Sequence, residues 1–151
     1  MFCLFALFAS LETANACSCV PIGAGELLHK ADIVFRGTIT DIRDIDTATG
    51  GGKRVAIFRV SRVWKGAISE IVSMPAIENA GGMCLGFPKG LLAIGNELLV
   101  YAYRERASGD YVTDICSHTW FAKQTNDVHE LGRGKRPKRV RSVQSPNHAP
   151  A

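Results

Sequence analysis

Ala31-Asp32-Ile33-Val34-Phe35-Arg36-Gly37-Thr38-Ile39-Thr40 is the stretch that decides the fold. Ile33, Phe35, Gly37 and Ile39 fall on one face of an extended chain, and Arg36, Thr38 and Thr40 fall on the other. That period of two predicts a strand with one face in a core. Gly37, on the inward face, allows the sharp bend that a small barrel demands. Downstream, residues 47–52 end in three successive glycines and predict a flexible turn. Residues 54–65, rich in Val, Ile, Phe and Trp, predict a long second strand. Residues 68–77, 97–104 and 111–116 predict three more, the last following the Ser108-Gly109-Asp110 turn. Upstream, residues 23–31 predict a short helix. After Cys116 the pattern predicts a helix capped by Ser117 or Thr119, with Trp120, Phe121, Gln124, Val128 and Leu131 sharing roughly one face. Gly132 stands where a left-handed terminating residue is wanted. A mostly β domain of five strands with flanking helices suits the small Greek-key barrel called the OB-fold.

Composition agrees with one packed domain. The 151 residues are 46% hydrophobic and 21% charged, which excludes wholesale disorder, collagen and coiled coil. Net charge is +4, yet six of the 18 basic residues lie between Arg133 and Arg141. The body, residues 17–132, is close to neutral. Residues 133–151 have almost no apolar content and read as a disordered basic tail, a solvated run rather than a nucleic-acid contact.

The longest apolar run, residues 1–11, spans only about half of a roughly 30 Å hydrocarbon core at about 1.5 Å per residue. Followed by Ala14-Asn15-Ala16, it reads as a secretory signal peptide over residues 1–16, with the mature chain starting at Cys17. A secreted or periplasmic product with no membrane association is the expectation. Cleavage removes Cys3 and leaves Cys17, Cys19, Cys84 and Cys116. An even count in an exported domain points to two disulfides, with three connectivities open. A thiolate zinc cage is the alternative, disfavoured by an oxidising compartment and by the lack of Cys-x-x-Cys spacing.

Other chemistry is thin. His29, His118, His129 and His148 have no metal-ligand spacing. Asp41, Asp44 and Asp46 lack the Gly and Glu of a calcium loop. Ser117-His118 is no triad signature, and Gly50-Gly51-Gly52 lacks the Lys-Ser/Thr of a phosphate loop. The expectation is a protein that is not an enzyme and carries no cofactor.

Cys17-Ser18-Cys19-Val20-Pro21, followed by Ala31-Asp32-Ile33-Val34-Phe35-Arg36-Gly37, resembles the start of the tissue inhibitors of metalloproteinases, whose inhibitory domain is a netrin-like OB-fold. Trp64-Lys65-Gly66, Cys84-Leu85-Gly86-Phe87, Leu99-Val100-Tyr101-Ala102 and Cys116-Ser117 extend the resemblance, in order, over residues 17–132. It implies the pairings Cys17–Cys84 and Cys19–Cys116. It also implies a mechanism: the free amine and carbonyl of Cys17 chelate the catalytic zinc of a metalloproteinase, and Ser18 enters the specificity pocket. Val20 and Pro21 would run along the cleft, and Ala80-Gly81-Gly82-Met83 before Cys84 would complete the ridge. The expected partner is a zinc metalloproteinase and the expected state a monomer. The chain departs from the animal inhibitors in lacking the cysteines of a third bridge and a second, disulfide-rich domain. A secreted netrin-like binding or assembly module without inhibition, whose barrel or basic tail would hold an anionic surface, glycan or protein partner, is the alternative.

Overall fold

The computed structural model describes residues 17–46, 52–79 and 83–139. The expected signal peptide, most of the residue 47–52 turn, Ala80-Gly81-Gly82 and residues 140–151 lie outside the described residues. In chain order the elements are α1 (Ala24–Lys30), β1 (Ile33–Asp46), β2 (Gly52–Lys65), β3 (Ile71–Pro75), β4 (Glu97–Arg104), β5 (Tyr111–Val112), β6 (Trp120–Phe121) and α2 (Asp127–Glu130). The fold is mostly β, with strand order β3-β2-β1-β4-β5 in an almost closed barrel, and β6 adds to β4.

The alternation that predicts β1 also explains its burial. Ile33, Phe35 and Ile39 enter the barrel core beside Phe58 of β2 and Leu98 and Val100 of β4. The pairing of β1 with β2 shifts register between Arg36 and Gly37, so the strand bends where its inner face carries no side chain. A Cβ at Gly37 would lie 3.1 Å from the Arg59 carbonyl oxygen and 3.2 Å from the Phe35 ring. Val34, Leu99 and Tyr101 point outward and are also buried, because Leu27 of α1 and Ala31 just after it cover that face. Lys65 places its ammonium 2.7 Å from the His29 carbonyl in the last turn of α1, where a cation favours the exposed carbonyls.

Between the two edge strands the barrel is closed by a segment that is neither β3 nor β5. The Phe87 amide donates to the Ile77 carbonyl at 2.7 Å, and the Asn79 amide donates to the Phe87 carbonyl at 2.8 Å. On the opposite side, the Gly86 amide donates to the Thr113 carbonyl at 2.8 Å and the Ile115 amide to the Cys84 carbonyl at 3.1 Å. Residues 84–87 therefore fill the seam as an inserted rung between the extensions of β3 and β5. Phe87 drives this rung into the core, stacking on Phe58 with ring centroids 6.0 Å apart. Full burial of that ring is worth about 2–3 kcal/mol.

Three expectations require correction. The helix after Cys116 is absent: Trp120 and Phe121 pair with Leu99 and Leu98 as β6, and only Asp127–Glu130 is helical. The spacing mimics a helical face because Trp120 and Phe121 are held by the sheet while Val128 and Leu131 pack against the cluster beneath α1. Gly132 does adopt the left-handed conformation, at φ 70°. The fifth strand is short, because beyond Val112 the chain pairs with the seam segment through Leu85 and Asp114. Residues 133–139 are not the disordered run expected of them. Lys135 exchanges two backbone hydrogen bonds with Val63, and Lys138 bonds to Ile68 and Glu70, so residues 133–139 lie along the barrel as a strap. Backbone pairing gives no apolar signal in a sequence, and the boundary is invisible there for that reason.

Candidate functional site

The two bridges are Cys17–Cys84, with Cα atoms 5.6 Å apart, and Cys19–Cys116, with Cα atoms 5.2 Å apart. The seam explains how two anchors one residue apart find two distant partners. Antiparallel pairing of Leu85 with Asp114 brings Cys84 and Cys116 close together on neighbouring segments. An extended Cys-x-Cys reaches about 7 Å between its Cα atoms, and neighbouring strands lie about 5 Å apart. Cys17 and Cys19 can thus be sewn onto two adjacent rungs at once.

Each end of this attachment is braced. The Cys116 amide donates to the Asp114 carboxylate at 2.8 Å. Around it, the buried hydroxyls of Thr113, Ser117 and Thr119 form a closed set: Thr113 Oγ1 lies 2.6 Å from Ser117 Oγ and 2.7 Å from Thr119 Oγ1. Thr119 ties the set to β4 by accepting from the Tyr101 amide at 3.1 Å. Three hydroxyls satisfy one another where isolated polar groups would each cost on the order of 1–3 kcal/mol. The Tyr101 hydroxyl donates to Asp127 at 2.9 Å, and burial, then that carboxylate, push its pKa far above the ordinary range. On the Cys84 side, the Asn79 side-chain amide donates to the Met83 carbonyl next to Cys84.

Between its anchors the N-terminal segment is open to solvent. Cys17 is half-buried, whereas Ser18, Cys19, Val20 and Pro21 are exposed. Ile22 then turns inward against the cluster beneath α1, and Ala24 is buried at the start of the helix. Val20 is 75% exposed, and Met83, beside Cys84, is 54% exposed. Leu85 and Ile77, at the same seam, are also exposed. Large apolar side chains are thus left in water on the segments that the two disulfides and the seam hold.

Cys17, Ser18, Cys19, Val20, Pro21, Met83 and Cys84, the residues expected to form the ridge, are thus brought into one region by the bridges, and Ala80, Gly81 and Gly82 lie outside the described residues. Gly86, Thr113, Ser117 and Thr119 belong to the same region, and no sequence signal marks them as part of the site, although Gly86 and Ser117 fall in the stretches that carry the resemblance. Polar residues in a β-rich segment look like surface in a sequence, and only the fold turns these hydroxyls inward. His118, a residue without metal spacing, sits in left-handed conformation at φ 57° with Nδ1 3.3 Å from Asp127. Among the described residues no group of His, Cys, Asp or Glu is placed to hold a metal ion, and no helix is long and apolar enough to cross a membrane. No protein-family model matches the chain, and no curated protein matches it.

Proposed function

We propose that the protein is an exported inhibitor of zinc metalloendopeptidases, acting through the amine and carbonyl of Cys17. The observation that carries this reading is the double attachment of Cys17 and Cys19 to one barrel seam, with Ser18, Val20 and Pro21 left exposed between and after the anchors. The resemblance of residues 17–132 to the tissue inhibitors of metalloproteinases supports it. So does coordination chemistry: a catalytic zinc keeps a position open for water or substrate, and an α-amine with its own carbonyl makes a five-membered chelate there. The amine must be neutral to donate, and an ordinary α-amine pKa near 8 makes that inexpensive at neutral pH. Because both flanking cysteines are already fixed, little conformational freedom is lost on docking. Ser18 supplies a short side chain for the specificity pocket, and Val20 and Met83 supply apolar contact on either side.

The reading requires that processing leave Cys17 as the first residue. A panel of zinc metalloendopeptidases assayed with processed, N-acetylated and Ala-extended protein tests it. Inhibition is expected from the processed form alone, since acylation removes the nitrogen lone pair while leaving the barrel and bridges intact. Equal inhibition by all three forms refutes chelation. No inhibition by correctly processed, oxidised protein favours a binding module instead.

A further inference from the structure

The C-terminal strap creates a second surface, remote in composition from the disulfide ridge. Its backbone is fastened at Lys135, through Val63, and at Lys138, through Ile68 and Glu70. The residue after each fastened lysine, Arg136 and Arg139, lines a groove of about 600 Å³ against β2. From the opposite wall Arg59 and Arg62 line the same groove, and Glu70 is the one acid among its lining residues. Among the described residues none of these four arginines forms an ion pair. Arg62 donates to the Ser61 carbonyl at 3.1 Å, its one side-chain hydrogen bond among the described residues. By contrast Arg36, the cross-strand partner of Arg62, is neutralised by Glu97 at 2.6 Å.

Folding alone gives no reason for this arrangement. Laying a basic strap along a basic strand places like charges beside one another, which is destabilising unless an anion comes between them. Arginine offers planar, bidentate donors matched to oxyanions. A groove walled by arginines on both sides takes in a chain of repeated anions better than a single ion. We infer that this groove binds a linear polysaccharide bearing sulfate or phosphate esters. No aromatic residue lines it, so the stacking platform that holds single-stranded nucleic acid is missing. Its recess between two chain segments admits a strand and not a plane of lipid headgroups. No residue of the disulfide ridge lines it, so the inference stands apart from protease inhibition.

The test is titration of the full oxidised chain with dextran sulfate, phosphorylated dextran and neutral dextran across a salt series. Binding to either charged polymer and not to the neutral one is expected, and the tighter of the two identifies the ester. Replacing all four arginines together (Arg59→Gln, Arg62→Gln, Arg136→Gln, Arg139→Gln) should weaken binding by about tenfold or more and flatten its salt dependence. The matched set Arg54→Gln, Lys89→Gln, Arg106→Gln and Lys123→Gln removes the same charge elsewhere and should leave affinity within about threefold. Relief of repulsion should also leave the melting temperature of the groove variant at or above the parent's in low salt. Equal loss from both variant sets would reduce the effect to net charge and overturn the proposal. Tighter binding to an oligonucleotide or to anionic vesicles would overturn it too, as would a groove variant that melts well below the parent.

Discussion

Gly86→Ala tests whether the seam is closed as described. Gly86 has φ 104°, and an L residue held on that side of the map loses about 1–2 kcal/mol. Added to this is a collision, for a Cβ there would lie 2.5 Å from the Ile77 carbonyl oxygen, where ordinary contact begins at 3.4 Å. The obstacle is backbone and cannot swing aside. The rung must therefore part from residue 77 by about 1 Å, stretching the 2.7 Å Phe87–Ile77 bond and crowding the 2.8 Å Gly86–Thr113 bond on the other side out of its geometry. At about 1 kcal/mol for each buried backbone bond, the total loss is about 3–4 kcal/mol. Gly90→Ala is the control. Its φ is 84°, but nothing lies within 4 Å of its Cβ position, so only the backbone cost of about 1–2 kcal/mol applies. Urea denaturation of both variants, with bridges intact, should show Gly86→Ala about 2 kcal/mol less stable than Gly90→Ala. Hydrogen exchange at the Phe87 amide should speed up in the first variant alone. Equal destabilisation by the two substitutions would refute the clamped rung, and with it the account of how Cys84 is held.

Two further outcomes follow from the strap and the tyrosines. A chain ending at Gly132 should be about 2–4 kcal/mol less stable than one ending at Arg139, because it gives up four backbone bonds and uncovers Trp64 beside Gly134; equal urea midpoints would show that the strap contributes nothing. Burial, then the nearby Asp114 carboxylate, push the Tyr103 hydroxyl up to about 12, and Tyr101 is raised further. Unfolded tyrosines lose their protons near pH 10, so this stabilisation is complete below about pH 10 and declines as pH rises through the folded value. In a Tyr111→Phe background, phenolate absorbance at pH 11 should stay low until the protein unfolds; full ionisation at that pH in folded protein would contradict the burial.

Legibility in the sequence follows how directly a residue's neighbours determine its burial. Ile33, Phe35 and Ile39 announce their face by alternation, and residues 97–104 coincide with β4 because a strand covered on both sides is apolar almost throughout. The short helix before β1 buries Ala24 and Leu27, three positions apart on one helical face, and residues 23–31 show it as a short helical stretch. The cysteine pairing comes from resemblance alone, since spacing leaves three connectivities open, and the observed bridges agree with it. What the sequence hides depends on contacts from afar. Trp120 and Phe121 have helical spacing to Gln124 and Val128, yet Leu98 and Leu99 claim them for the sheet. Thr113, Ser117 and Thr119 look like capping or surface residues until β4 lies beneath them. The strap carries its attachment in main-chain groups, which every sequence possesses.

The interleaved bridges also dictate an order of assembly. Cys17 and Cys19 precede their partners by 67 and 97 residues, so both must wait for chain that is made much later. Their nearest competitors are each other, and a Cys17–Cys19 bond is the local error that thiol–disulfide exchange must undo. Cys84 and Cys116 become neighbours only once the rung at 84–87 has paired with residues 113–115, a contact of long sequence separation that forms slowly. The barrel therefore acts as the template for its own oxidation. Refolding from the reduced state should recover strand structure first and the exposed N-terminal segment last, leaving the surface proposed to meet a protease as the final part of the protein to exist.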